Sequence, residues 1–313
     1  MRTIKDYALL YLKGMAMGGA DTVPGVSGGT VAFITGIYEE LLDSIKSFDL
    51  QALQLARGFQ LKALWQHVNG NFLLVLLAGV FTSLLTLSRL ITWLLAEYPI
   101  QVWSFFFGLI IISAVLVTKE IRQWNAAVVV SGIVGIVIAY LVTVISPAET
   151  PEALWFVFIA GALAICAMIL PGISGAFILL LLVKYEFILT ALKEFNLPVI
   201  LVFGLGCVVG ILSFSRVVSW LLDRYYNVAI ALLAGFMIGS LNKVWPWKVV
   251  SEYYLSSKGE QKPLITESVW PTQFAIETGQ QPHVLWAILF AALGILLVVV
   301  IEKLSTYKVS PQH

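Results

Sequence analysis

Long apolar segments alternate with short polar stretches along the chain, and this pattern predicts membrane-spanning helices. A helix needs about 20 apolar residues to cross the hydrocarbon core of a bilayer. Segments of that length and character lie at 71–96, 100–118, 125–145, 197–222, 227–244 and 284–303. We therefore predict an all-α polytopic membrane protein in which the polar stretches connect the transmembrane helices.

Two other apolar stretches, at 4–45 and 154–192, are interrupted by a proline–glycine pair. Pro24-Gly25 interrupts the first stretch and Pro171-Gly172 the second. Proline ends a helix because it lacks an N–H donor and clashes with the preceding turn. The pieces beside each pair are too short to span, so each stretch is predicted to enter the membrane and return as a re-entrant helical hairpin. A simple helix kink is the plainer alternative.

The chain carries this plan twice. The motif at 21–30 returns in shortened form at 171–176, and the segment 87–95 aligns with 214–222. Each match holds at a fixed offset, and the spacing between the two matched blocks differs between the halves by the length of a loop. Such self-similarity indicates a duplicated unit rather than chance. Each unit would hold one hairpin followed by three spans.

Three spans are an odd number, so the second unit would start on the opposite side of the membrane. We predict repeats of inverted topology at 1–146 and 147–313, an architecture in which secondary transporters bind substrate near the midplane. Lysine and arginine are more frequent on the N-terminal side of the predicted spans. That bias favours a cytoplasmic N-terminus. The polar segment 245–282 is then an extracytoplasmic loop.

The composition agrees with a membrane protein and narrows its chemistry. The 313 residues are 59% hydrophobic and 12% charged, with a net charge of +1. Soluble domains carry about twice that charged share. So small a net charge gives no general attraction to nucleic acid. His67, His283 and His313 all lie outside the predicted spans. We therefore expect no nucleic-acid partner, no cofactor and no metal site within the membrane.

Two arginines occupy equivalent positions inside predicted spans, Arg89 in the first repeat and Arg216 in the second. An arginine at such a depth is costly unless it finds a partner or water. As a pair near a shared cavity, the two guanidinium groups would suit a phosphate or a carboxylate. The alternative is that each side chain extends to the lipid head groups or binds a neighbouring carbonyl.

Small polar residues follow each proline–glycine break. They are Ser27, Gly28 and Gly29 in the first repeat and Ser174 and Gly175 in the second. These residues are predicted to begin a helix, where free N–H groups and a partial positive charge favour an anion. Serine also caps helices at this position, and the two interpretations are compatible.

Three acidic residues are candidates for proton coupling. Asp21 lies just before the first break, and Met168 takes its place in the second repeat. Glu39 and Glu186 lie at equivalent positions beyond the two breaks. Buried carboxylates in membrane proteins commonly carry protons or pair with arginine. The alternative is that Glu39 has already reached the membrane interface.

These motifs resemble those of the bacterial polyprenyl-phosphate translocases of the PopT type. The resemblance rests on 21–30, on Gly36-Ile37-Tyr38-Glu39 and on 170–175, and it covers most of the chain. It implies return transport of undecaprenyl phosphate, the lipid carrier of cell-wall synthesis, from the outer to the inner leaflet of the cytoplasmic membrane. The implied partners are this lipid and the bilayer. The oligomeric state stays open, with a homodimer as one option.

Residues and resemblance together predict a flippase mechanism. Arg89 and Arg216 would neutralise the phosphate, and the groups around Ser27 and Ser174 would surround its oxygens. Asp21, Glu39 or Glu186 would exchange protons with the gradient. A transporter of a small soluble anion would share this fold and site. An intramembrane lipid phosphatase would need a nucleophile with a base, or a metal, and no histidine lies in a span. We therefore predict a transporter rather than an enzyme.

Overall fold

The chain folds into fifteen helices and one two-stranded sheet within the residues that the structure describes. The computed structural model describes residues 2–23, 26–145, 147, 150–255 and 261–306. In the first half the helices are α1 (Ile4–Asp21), α2 (Gly28–Ile34), α3 (Tyr38–Lys46), α4 (Leu50–Arg57), α5 (Leu61–His67), α6 (Gly70–Glu97), α7 (Pro99–Lys119) and α8 (Ala126–Val144). The second half holds α9 (Leu154–Ile169), α10 (Gly175–Leu181), α11 (Tyr185–Lys193), α12 (Leu197–Arg224), α13 (Tyr226–Ser240), β1 (Lys248–Leu255), β2 (Gln261–Ser268), α14 (Pro271–Thr278) and α15 (Val284–Thr306).

Five described helices are long and apolar enough to cross a membrane. They are α6, α7, α8, α12 and α15. The helix expected over 227–244 is shorter than that, because α13 ends at Ser240. Ile230 and Met237 of α13 are fully buried and lie in the largest apolar core. The predicted polytopic, predominantly α-helical membrane fold is therefore confirmed.

Equivalent helices in the two halves have equal lengths. Helices α2 and α10 have 7 residues each, α3 and α11 have 9 each, and α6 and α12 have 28 each. The returning limb of each hairpin is two helices rather than the continuous helix that the sequence suggested. The limb formed by α10 and α11 bends by 106°. Gly36 and Val183 stand at equivalent points in the two bends with φ of 69° and 53°, a left-handed conformation that cannot continue an α-helix.

The entering limb of each hairpin packs along a long helix in the same chain direction. Gly14 and Gly18 of α1 lie against Leu76 and Val80 of α6, so that contacts advance together along both helices. A Cβ on Gly14 would lie 2.2 Å from the Leu76 carbonyl oxygen, which explains the glycine there. In the second half α9 packs along α12 in the same way.

Within the described part of the polar segment 245–282, two strands and a helix form where the sequence predicted a loop. Strands β1 and β2 pair in antiparallel fashion, and α14 follows them. The sequence of β1 is rich in β-branched and aromatic residues (Val249, Val250, Tyr253, Tyr254), which favour strands. Within the described residues, the regular secondary structure is thus all helical apart from the pair of strands β1 and β2.

Candidate functional site: the hairpin tips and the two cavities beside them

The turns of the two hairpins meet inside the protein. We call the turn between α1 and α2 the first tip and the turn between α9 and α10 the second tip. Ser27 Oγ donates a hydrogen bond of 2.9 Å to the Met168 carbonyl oxygen. Gly172 N donates one of 2.9 Å to Thr30 Oγ1. Ser27 and Thr30 are completely buried, so the contact excludes solvent and joins the two halves directly.

At the first tip, the start of α2 is already occupied by groups of the chain itself. The Asp21 carboxylate accepts a hydrogen bond of 2.7 Å from Gly28 N. Ser27 Oγ accepts one of 3.0 Å from Gly29 N. A helix N-terminus attracts negative charge, and here Asp21 supplies that charge. The anion site predicted from Ser27, Gly28 and Gly29 therefore holds an internal carboxylate in this conformation.

The second tip differs because Met168 stands where the first tip has Asp21. Ser174 begins α10 without a side-chain capping bond, and Gly175 follows it. Gly172 has a φ of 91°, and a Cβ there would lie 2.9 Å from the Phe236 carbonyl oxygen. Only glycine meets both conditions without strain. Pro171 is buried beside it.

The structural breaks predicted at Pro24 and Gly25 lie outside the described residues.

Two cavities lie at opposite ends of α13, with the second tip packed against this helix between them. The acidic cavity has a volume of about 320 Å³, and its polar lining includes Glu39, Glu120, Tyr226 and Glu302. A neighbouring space of about 130 Å³ adds Asp43 and Asp223. The lysine cavity, of about 390 Å³, is lined by residues that include Tyr140, Thr143, Phe177, Asn242, Lys243 and Glu267. Helix α13 has 15 residues, which corresponds to roughly 22 Å at about 1.5 Å per residue.

Arg89 and Arg216 lie on exposed surfaces of α6 and α12, and neither lines a cavity described above. Arg216 donates hydrogen bonds of 2.6 Å to the Leu212 carbonyl oxygen and 3.2 Å to that of Phe48. In this conformation Arg216 thus connects α12 to the end of the first hairpin's returning limb. The structure does not bring the two arginines together in one cavity.

The candidate acids occupy three different environments. Glu39 is exposed and lines the acidic cavity, whereas Asp21 binds the first tip. Glu186 has one carboxylate oxygen that is buried and has no hydrogen-bond partner among the described residues. Within the described part of the chain, no three His, Cys, Asp or Glu residues are grouped as a metal site.

Sequence reasoning did not assign two residues that matter at this site. Thr30 lies within the first motif, but its contact with Gly172 joins residues 142 positions apart. Lys243 lies at the end of the predicted span 227–244, where the sequence indicated no role in binding, and the structure places it just after α13. A lysine just beyond an apolar helix is as typical of a residue at the membrane interface as of a residue in a binding site. The spacing of residues along the chain therefore could not identify Thr30 or Lys243 as part of the site.

Comparisons with known proteins agree with this architecture. A family model described as undecaprenyl phosphate translocase-like matches residues 17–262. A polyprenyl-phosphate transporter of Vibrio cholerae is 46% identical over 298 residues, which are 95% of this chain and 97% of the relative. A polyprenyl-phosphate transporter of Staphylococcus aureus is 32% identical over 254 residues, 75% of this chain and 85% of the relative.

No solved structure is significantly similar to the chain. The relatives are transporters rather than enzymes, as the sequence predicted. The match of the family model over most of the chain, with two relatives aligned over most of their lengths, shows that this protein belongs to the undecaprenyl phosphate translocase-like family.

Proposed function

We propose that this chain returns undecaprenyl phosphate from the outer to the inner leaflet of the bacterial cytoplasmic membrane, where the carrier is reused for cell-wall polymer synthesis. The names of the two relatives support the substrate class. A phosphate cannot cross hydrocarbon without losing its hydration, whereas the isoprenoid tail can stay in lipid. The observation that carries the proposal is the contact between two buried hairpin tips, with a cavity on either side.

The two repeats, 1–146 and 147–313, are inverted in this proposal. Helices α6, α7 and α8 each cross the membrane, so α6 and α12 run in opposite directions. The Arg216–Phe48 bond supports this arrangement. It connects the C-terminal half of α12 with the end of the first returning limb, as expected if the first hairpin opens where α12 ends. The bias of positive charge favours the cytoplasm for that side.

Transport then requires the tips to part. In this proposal the path between the cavities is closed by the contact between the tips, which is made by the Ser27–Met168 and Gly172–Thr30 bonds. Rocking of one repeat against the other would expose the tips to each side in turn. The lysine cavity would face the outer leaflet and attract the phosphate. The acidic cavity would face the cytoplasm, where Glu39 and Glu120 would repel the phosphate and favour its release.

Proton coupling is the second part of the proposal. Glu186 lies on the hairpin that opens outward and carries a buried oxygen with no hydrogen-bond partner in the described part of the chain. Asp21 lies at the tip contact, and Glu39 lies in the inward cavity. These carboxyl groups would take up protons in sequence as the repeats move. Protonation of Asp21 would remove the internal anion at the start of α2, leaving this helix N-terminus available to the phosphate.

Arg89 and Arg216 remain the proposed cations for the head group while it passes through the hydrocarbon. We expect Arg89→Ala and Arg216→Ala each to reduce transport at least about tenfold, a change of about 1.4 kcal/mol, with normal membrane insertion. Arg216→Lys separates the role of the positive charge from that of the hydrogen bonds. Lysine keeps the charge but lacks the two-pronged geometry that binds the Leu212 and Phe48 carbonyl oxygens. Wild-type transport by either alanine variant would show that the arginine replaced in it does not bind the phosphate head group during transport.

Leaflet exchange in liposomes tests the proposed function. The protein is reconstituted with labelled undecaprenyl phosphate, and the lipid accessible outside is measured with and without a pH gradient. We expect faster exchange than in protein-free liposomes and a further increase when the gradient is imposed. Exchange no faster than in protein-free liposomes would contradict the proposal. Uptake of a small soluble phosphate in place of lipid exchange would favour the soluble-anion transporter.

A further inference from the structure

The lysine cavity contains a partly buried ammonium group without an acidic partner among the described residues. Lys243 Nζ lies 3.9 Å from the ring centroid of Phe177, a cation–π contact. No described carboxylate lies within ion-pair distance of it. Burial lowers the pKa of Lys243 to about 8, so most of this group carries its proton near neutral pH. A desolvated cation that lacks a counter-ion favours an anionic ligand.

Two charged residues, Lys248 and Glu267, lie close to the Lys243 ammonium group or line the same cavity. The Lys248 ammonium donates a hydrogen bond to the Lys243 carbonyl oxygen, and burial together with the charge of Lys243 lowers the pKa of Lys248 well below its ordinary value. Glu267 is the acidic residue of the cavity lining. It accepts a hydrogen bond of 2.9 Å from Ser251 Oγ instead of pairing with Lys243. Among the described residues, the lining therefore contains one ammonium group and one carboxylate, and the two do not form an ion pair with each other.

Further polar groups surround the same space. Asn242 Nδ2 donates to Thr143 Oγ1 over 2.8 Å, and Ser268 Oγ donates to the Asn242 carbonyl oxygen over 3.2 Å. Hydroxyl and amide groups of this kind can reorient towards phosphate oxygens. The volume of about 390 Å³ is roughly that of thirteen water molecules at ~30 Å³ each. This space is ample for a phosphate and the first part of an attached chain.

Part of the cavity lining is apolar. Val144 and Ile145, at the end of α8, line it and are 48% and 55% exposed. Leu181 of α10 lines it as well. A free phosphate gains nothing from such a wall, whereas an isoprenoid chain would bury apolar surface against it. The combination of an unpaired cation and an exposed apolar wall points to a lipid with an anionic head.

We propose that the lysine cavity is the entry site for the phosphate monoester of a polyprenyl lipid, with Lys243 as the counter-ion of the head group. This inference rests on the proposed function and adds to it a site for substrate capture. The cavity lining also includes residues of the helix that follows the second tip. Phe177 of its lining lies two residues beyond Gly175, in the helix that Ser174 begins without a capping bond.

Binding measurements on detergent-solubilised protein test this site. Farnesyl phosphate, inorganic phosphate and farnesol are titrated separately by calorimetry. We expect Lys243→Gln to weaken farnesyl phosphate binding at least about tenfold and Lys243→Arg to stay within about threefold of wild type, since arginine keeps the charge. Lys193→Gln, on the returning limb of the second hairpin but outside the cavity lining, is the matched control and should bind as wild type does.

A second variant keeps the test decisive if Lys243→Gln does not fold. Glu267 is exposed, so Glu267→Gln should fold normally. Removing its negative charge is expected to tighten farnesyl phosphate binding about twofold to fivefold at low salt, and less at high salt. Unchanged or weaker binding by this variant would overturn the assignment, as would wild-type binding by folded Lys243→Gln.

The remaining outcomes separate this inference from the proposed function. Inorganic phosphate that binds as tightly as farnesyl phosphate would assign the cavity to a soluble anion and overturn the lipid assignment. If farnesyl phosphate binding depends on Lys243 but the wild-type protein does not exchange undecaprenyl phosphate between leaflets, the site stands and the translocase proposal fails. If wild-type exchange is rapid and Lys243→Gln leaves both binding and exchange unchanged, the translocase proposal stands and this site is rejected.

Discussion

Asp21→Asn is expected to leave the protein folded and to reduce lipid exchange at least about tenfold. Asparagine keeps a carbonyl oxygen at the position where the carboxylate accepts the Gly28 N–H bond, so this hydrogen bond to the start of α2 is retained. It cannot take up or release a proton, however. If Asp21 alternates between binding the helix N-terminus and leaving it to the phosphate, the substitution stops that exchange.

Asp21→Ala is the companion variant, because it removes the acceptor as well as the charge. Ser27, which caps α2, is retained, but loss of a hydrogen bond to a charged group costs about 1.5–3 kcal/mol. We therefore expect a lower melting temperature together with low transport. Thermal melting and leaflet exchange are measured on both variants. Should Asp21→Asn transport at the wild-type rate while Asp21→Ala does not, Asp21 would serve only to accept the Gly28 N–H bond, and its proposed role in coupling would be wrong.

Gly172→Ala is expected to destabilise the protein strongly and to abolish transport. A side chain at a φ of 91° adopts a left-handed backbone that costs roughly 1–2 kcal/mol. The added Cβ would also lie 2.9 Å from the Phe236 carbonyl oxygen and 2.9 Å from Ser240 Oγ, and such overpacking costs about 1–3 kcal/mol. Relief of this clash requires the second tip to move away from α13.

Gly36→Ala provides the matched control. Gly36 also has a positive φ, of 69°, but nothing lies within 4 Å of the position of an added Cβ. This variant therefore carries the backbone strain without the clash, and we expect a smaller loss of thermal stability. Melting temperatures and lipid exchange are compared for both. Equal effects of the two substitutions would mean that the packing of the second tip against α13 contributes nothing to stability or transport.

Much of the fold was predictable because bilayer thickness and proline chemistry restrict the possibilities severely. The spans followed from the length of apolar runs, and the second hairpin break followed from Pro171 and Gly172. The equal lengths of α6 and α12 correspond to the internal repeat read from the sequence. The bends near Gly36 and Val183 were not predicted. A valine with positive φ has no local signal, since tertiary packing imposes that conformation.

The candidate site was predictable only in part. The small residues of both motifs do lie at helix starts, but the sequence could not show that Asp21 already occupies the first one. Nor could it show the Ser27–Met168 bond, which joins residues 141 positions apart. The lysine cavity combines α8, α10, the end of α13 and β2. Periodicity and motif spacing cannot predict contacts between residues that lie so far apart in the sequence.

In the proposed mechanism the two hairpins enter from opposite membrane faces and meet in the middle, and cysteine labelling can determine the face from which each one enters. Ser47 and Glu194 occupy the equivalent C-cap positions of α3 and α11, so each marks the end of one returning limb. Ser47→Cys and Glu194→Cys are made separately in a background in which the native Cys166 and Cys207 are replaced by alanine. Both variants must first show wild-type lipid exchange.

A membrane-impermeant maleimide is then applied to intact cells and to inside-out vesicles. We expect Glu194→Cys to be labelled in intact cells and Ser47→Cys to be labelled only in inside-out vesicles. Labelling of both positions from the same side would contradict the inverted arrangement and, with it, the transport mechanism that depends on the two tips meeting.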